Sequence, residues 1–84
     1  MLDGKAILLM KNGMSIDFNE GSQVIINDVP ITNHIELVTQ VHNIEGEINI
    51  ISIVDGFKYV YQFKKEHFNW AYSYSKLVGE EDAD

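Results

Sequence analysis

The residues in this chain that could carry a reaction or hold a metal are its three histidines, a pair of neighbouring carboxylates and a scatter of serines. His34 and His42 fall in a stretch that alternates apolar and polar positions. As a strand, that stretch separates them by roughly 26 Å at ~3.3 Å per residue, too far to chelate one ion. The same reading sets His34 across from Asp55 and His42 across from Glu47, as cross-strand ion pairs. His67 has no ligand set beside it. Glu45 and Glu47 stand in a turn without the apolar surroundings that general-acid work needs. Ser15, Ser22, Ser52, Ser73 and Ser75 occupy no Gly-x-Ser-x-Gly elbow, and no Gly-rich loop opens a helix to cradle phosphate. The absence of Cys removes thiol catalysis, thiolate metal sites and disulfides. The sequence therefore reads as non-enzymatic, with no catalytic residue, metal or cofactor.

The elements that would position these residues are mostly strands. Asn12-Gly13 suits a two-residue hairpin turn, which predicts a hairpin over residues 5 to 18 with Leu9 facing Ile16 and Ile7 facing Phe18. Weaker strand signals follow near residues 23 to 27, and Pro30 demotes residues 29 to 32 to an edge strand or loop. From residue 34 to residue 63 two turns predict one meander. Asp55-Gly56 pairs Val54 with Phe57, Ser52 with Tyr59, Ile50 with Tyr61 and Ile48 with Phe63. A loop over residues 43 to 46 pairs Thr39 with Ile50 and Leu37 with Ser52. The opposite face of that meander carries Val38, Ile51 and Val60 side by side, an apolar stripe that something should cover. Residues 64 to 78 alternate aromatics at Phe68, Trp70, Tyr72 and Tyr74. At ~100° per residue they also gather Lys65, Glu66, Asn69, Ser73 and Lys76 into one polar arc, which predicts an amphipathic helix capped by Gly79. The expected fold is α+β and mostly β, an antiparallel meander or small barrel-like sheet of five to six strands with one C-terminal amphipathic helix. It forms a single domain over residues 1 to 79, followed by a flexible acidic tail over residues 80 to 84. The strand and helix aromatics would face each other as core.

The charge narrows the partners. Thirteen acidic residues against six basic ones give a net charge of -7, and every basic residue is Lys. Direct nucleic-acid binding needs Arg and Lys on one face, so it is not expected. The five-residue apolar run near the N-terminus is too short for a signal core or a membrane span, which points to a cytoplasmic chain with no membrane association. A chain of 84 residues hides only about 60 to 65% of its unfolded surface, which favours a homodimer through Val38, Ile51, Val60 or the helix residues Trp70 and Tyr74. Carboxylates at alternate strand positions repeat at about 7 Å, close to the spacing of phosphates along DNA.

Small size, no Cys, no Arg, abundant Ile, Asn and Tyr, and acids at Asp17, Glu20, Asp28, Glu36, Glu45, Glu47 and Asp55 together resemble phage-encoded host-takeover proteins of the DNA-mimic kind, such as phage inhibitors of the nucleoid protein HU. The resemblance spans composition and charge over the whole chain and rests on no shared motif. The Lys-bearing stretch from residue 58 to residue 76 departs from it. It implies a non-enzymatic inhibitor whose seven named carboxylates occupy the DNA-binding surface of a basic host protein. A small structural or assembly protein without mimicry is the alternative.

Overall fold

The computed structural model describes residues 1 to 77. Among these, the chain forms seven strands and one α-helix: β1 (Lys5–Met10), β2 (Ser15–Phe18), β3 (Gln23–Ile26), β4 (Val29–Ile31), α1 (His34–Asn43), β5 (Glu47–Val54), β6 (Phe57–Lys64) and, after a 3₁₀ turn at Lys65–His67, β7 (Phe68–Tyr74). The strands make two antiparallel sheets, of order β2-β1-β7 and β4-β3-β5-β6. This corrects the expected single meander or barrel, and the helix sits in the middle of the chain rather than at its end. The Gly79 cap and the tail over residues 80 to 84 lie outside the described residues.

Turn chemistry fixes most of the pairing. Asn27 and Asp28 both take positive φ, 45° and 68°, as do Asp55 and Gly56, 52° and 81°, so each pair forms a type I′ turn that matches strand twist. The Asp55-Gly56 turn sets the β5–β6 register as Val54 with Phe57, Ser52 with Tyr59, Ile50 with Tyr61 and Ile48 with Phe63, as the sequence predicts. Asn12-Gly13 behaves differently. Only Gly13 takes positive φ, and the loop holds three residues, with Met10 N–H bonded to Met14 carbonyl and Gly13 N–H to Met10 carbonyl. This is the bulged hairpin, a tight turn followed by a left-handed Gly. One extra loop residue moves the register, so Leu8 faces Ile16 and Ala6 faces Phe18. Ala6 and Leu8 consequently point inward, and Ile7 and Leu9 outward.

Residues 34 to 43 are helical where a strand was expected. Asn33 caps the helix, its side chain accepting from the N–H groups of Ile35 and Glu36 at 2.9 and 3.0 Å. Leu37 and Val41 are buried four residues apart, one helical turn, and Val38 packs beside them against the core. The apolar spacing is thus helical as well as alternating. Both helix ends are held from outside. Asp3 Oδ1 accepts the His34 N–H at 2.8 Å, and Lys65 Nζ donates to the carbonyls of His42 and Ile44 at 2.6 and 2.8 Å, a cation at the negative end of the helix.

Residues 68 to 74 are a strand where a helix was expected. β7 pairs with β1, Lys5 with Tyr74, Ile7 with Tyr72 and Leu9 with Trp70, and a bulge between Leu9 and Met10 turns Phe68 into the core. β-branched and aromatic side chains favour this pleated surface, and the open edge of β1 supplies the backbone partner that a helix would not need.

The core joins the inner faces of both sheets to α1. It gathers Ala6, Leu8, Phe18, Phe68 and Ala71 from the first sheet. Val24, Ile26, Ile31, Ile48 and Ile50 come from the second, and Leu37 and Val41 from the helix. Leu2 joins from the N-terminal segment. Gly4 is required where it stands, because a Cβ there would lie 2.6 Å from the His34 ring and 2.9 Å from the Tyr74 carbonyl oxygen.

Two outcomes check this packing. Ile50→Asp should unfold the chain in a urea titration followed by circular dichroism, since Ile50 is wholly buried between Ile26 and Tyr61, whereas Asn49→Asp on the outward face should shift stability by about 1 kcal/mol or less. Gly4→Ala should cost about 1–3 kcal/mol in the same titration, the usual range for overpacking a site with no free volume.

Candidate functional site

The outer face of the first sheet is where apolar side chains gather in solvent. Odd positions of β1 and even positions of β7 point there, so Lys5, Ile7 and Leu9 stand beside Tyr74, Tyr72 and Trp70. Trp70, Tyr72 and Tyr74 are 47%, 41% and 50% exposed. The β2 residues Asp17 and Ser15 complete the face opposite Ile7 and Leu9. The centre of the patch is aromatic and aliphatic, and Asp17 lies on its margin. A cleft of about 420 Å³ at one end is lined by Lys5, Glu20, Tyr74, Ser75 and Lys76.

The arrangement of the rings limits what they can hold. Trp70 and Tyr72 have centroids 5.3 Å apart at 31°, and Tyr72 and Tyr74 are 6.4 Å apart and nearly parallel at 20°. Lys5 Nζ sits 6.0 Å from the centroid of the Tyr74 ring. The rings therefore form a row along the strand, the two tyrosines nearly parallel. A platform for nucleic acid also needs cations that track the phosphate backbone, which a net charge of -7 opposes. Half-exposed rings that carry hydroxyls and an indole N–H are what a partner meets, a combination that suits a protein surface.

The aromatic residues do not form one facing core set. Tyr61 and Phe63 pack against the core, but Phe57 and Tyr59 are exposed on β6. Of the expected interface stripe, Ile51 and Val60 are directly paired, and Val38 is not with them. Its place beside Ile51 is taken by Ile25 of β3. Trp70 and Tyr74 lie together on the first sheet, away from that stripe.

The seven carboxylates of the expected partner site are all exposed, and the fold disperses them. Asp17 and Glu20 flank the aromatic face. Asp28 sits in the β3–β4 turn, tied to the start of β5 by Asn27, whose Nδ2 donates to the Glu47 carbonyl at 3.2 Å and whose Oδ1 accepts the Asn49 N–H at 2.7 Å. Glu45 and Glu47 are at that same end of the second sheet. Asp55 is at the other, just past the end of β5 and roughly 26 Å from Glu47 at ~3.3 Å per residue. Glu36 belongs to the first turn of α1, where its charge suits the helix dipole, and not to a strand. A ladder of carboxylates at alternate strand positions is therefore not formed by these seven. Apart from Glu66, which lies 3.8 Å from His67, no described carboxylate is paired with a described cation.

The histidines do not make the expected cross-strand pairs with Asp55 and Glu47. Both lie on α1, about 12 Å apart at 1.5 Å per residue. His34 is buried over Gly4, and its Nδ1 has no hydrogen-bond partner. His42 Nδ1 lies 2.8 Å from the Val38 carbonyl, and its ring meets the edge of Phe68 with centroids 5.2 Å apart. No group of three or more His, Asp or Glu side chains is arranged to hold a metal among the described residues. A second cleft, about 540 Å³, is lined by Glu45, Gly46, Glu47, Lys64, Lys65 and Glu66, and Lys65 there is committed to the helix end. No helix among the described residues is long and apolar enough to cross a membrane.

The chain matches no protein-family model, no curated protein and no solved structure. Ile7, Leu9 and Tyr72 are the face residues that sequence reasoning did not assign to a site. The alternation of Trp70, Tyr72 and Tyr74 is the signal that could have found them.

One titration reports on the join between the two sheets. Tyr61 meets Phe18 edge to face, with centroids 6.0 Å apart. Burial, then the neighbouring Tyr59 and the Asp17 carboxylate, hold its phenol above the ordinary value of 10.0. The unfolded chain therefore loses this proton first. The stabilisation is complete below about pH 10 and is lost as pH rises through the folded value. Urea midpoints measured between about pH 9 and 12 should fall, and Tyr61→Phe should make that fall shallower.

Proposed function

We propose that this chain is a non-enzymatic protein-binding module that docks a basic protein partner against the outer face of its first sheet. The observation that carries the reading is the row of Trp70, Tyr72 and Tyr74 beside Ile7 and Leu9, half in solvent on a regular sheet. Trp and Tyr are the side chains that most often anchor protein interfaces, because each brings a large area at the cost of ordering few torsions. Asp17 and Glu20 at the margin, within a net charge of -7, favour a partner of opposite sign and speed its approach. A cytoplasmic setting, and an inhibitory role exercised by covering the partner's own site, belong to the same proposal.

A narrower second reading is that the partner is a DNA-binding protein such as a nucleoid-associated protein, and that the chain acts as a DNA mimic of phage origin. What favours it is that eight of the nine described carboxylates carry no described counter-charge, so their field is free to act on a partner. In this reading Asp28, Glu45 and Glu47 at one end of the second sheet stand for phosphates.

The two readings separate by experiment. With the immobilised chain and host lysate, Trp70→Ala with Tyr72→Ala should release the captured protein, a loss of at least ~2 kcal/mol or about 30-fold in affinity, while circular dichroism stays unchanged. Capture that survives both substitutions would remove the aromatic face as the site. For mimicry, the chain should displace labelled duplex DNA from purified HU in a salt-sensitive way, and Glu45→Lys with Glu47→Lys should abolish this. Capture indifferent to excess duplex would leave the binding module and remove the mimic.

A further inference from the structure

We infer that the free edge of β6 is a self-association edge, on which the β6 strand of a second copy pairs antiparallel with Val60 on the two-fold axis. β6 is the outer strand of the second sheet, eight residues long, and its far side has no partner among the described residues. It is also unusually apolar for an edge: Phe57, Tyr59 and Val60 are 65%, 44% and 55% exposed. A long apolar edge is a template for another strand.

The turn chemistry says which backbone groups are free. In the Asp55-Gly56 turn the Val54 carbonyl accepts from the Phe57 N–H, so Phe57, Tyr59, Tyr61 and Phe63 exchange hydrogen bonds with β5. The N–H and C=O groups of Lys58, Val60, Gln62 and Lys64 then point to the open side.

Side chains choose the occupant and the register. A two-fold axis keeps each face on its own side, so odd positions must meet odd and even meet even. Centring on Tyr61 would set Lys58 against Lys64 of the second copy, a like-charge pair in each half. Centring on Tyr59 would draw the Asp55-Gly56 turn into the pairing. Centring on Val60 pairs Val60 with itself, Lys58 with Gln62, Tyr59 with Tyr61 and Phe57 with Phe63, and brings Lys64 alongside the Asp55-Gly56 turn of the second copy. The two exposed aromatics are covered by the two half-buried ones. On the other face the row Ile25, Ile51, Val60 runs on into its own symmetric copy, which packs against the open side of Val60. The fit in charge, apolar continuity and free backbone groups at one register is what assigns a second copy to this edge.

The test exploits the self-facing position. Sedimentation velocity at micromolar concentration should give two chains for the unaltered protein. Val60→Lys and Val60→Glu should each give one chain, since each places like charges on the axis, and an equimolar mixture of the two should return to two chains. Val60→Pro, which removes only an outward N–H, should also give one chain, with the circular dichroism of the unaltered fold. A single chain at every concentration for the unaltered protein overturns the inference. So does a mixture of the Lys and Glu variants that stays monomeric while both remain folded. These substitutions leave Trp70 and Tyr72 untouched, so partner capture and self-association fail independently.

Discussion

The fold hangs on the four residues that precede β1. Leu2 N–H bonds to the Ser22 carbonyl at 2.7 Å, and its carbonyl accepts from Gly21 N–H at 2.9 Å. Asp3 N–H reaches the Thr32 carbonyl at 2.9 Å, and its carboxylate receives the His34 N–H. Gly4 lies against the His34 ring. This short segment thus ties the link between the first and second sheets to the start of the helix. A ten-residue helix rich in β-branched side chains would be marginal alone. Here Asp3 and Asn33 satisfy the N–H groups of its first turn, Lys65 closes its last, and Leu37 and Val41 bury its inner side. Burying His34 with an unpartnered Nδ1 is a cost that this clamp carries.

What could be read in the sequence was what turn chemistry decides locally. Asp55-Gly56 set a two-residue turn, and the whole β5–β6 register follows from it, because a slip of one residue would put Ile48 and Ile50 in water. Asn12-Gly13 carries the same dipeptide signal, yet Lys11 joins the loop and the register moves by one. Hairpins of two and three loop residues differ here in the sign of φ at Asn12 and in whether Lys11 belongs to the strand or the loop, and local sequence does not choose between them. The core does: Ala6 and Leu8 fit beneath the helix, and Ile7 and Leu9 go outside.

The helix and last strand were exchanged for a related reason. His34 to Asn43 offers apolar residues at spacings of two, three and four, so period alone fits either element. The deciding signal was Asn33 followed by Glu36, a cap and an acidic first turn at the right spacing. Residues 68 to 74 lack any such cap, and their aromatic alternation is the strand pattern. Only Phe68 breaks it, through the bulge against Met10. The candidate site shared that fate. Its aromatic face needs β7 beside β1, a pairing between the two ends of the described chain that no local signal announces.

Surface apolarity here follows from geometry. Two sheets and one helix give each sheet a single covered face. α1 packs mainly on β1, β4 and β7, and β6 lies at the open edge of the second sheet. Large side chains are nevertheless placed where the cover is missing: Trp70, Tyr72 and Tyr74 on the first sheet, Phe57, Tyr59 and Val60 at the edge of the second. Apolar side chains scattered singly in solvent need no explanation, but contiguous ones cost solubility. The net charge of -7 offsets that cost between free chains and leaves the patches open to a chosen partner. Carboxylates and aromatics thus do different work. The first slow the approach of like chains at long range, and the second act only at contact, where backbone groups, side chains and shape decide what stays bound, a second copy included.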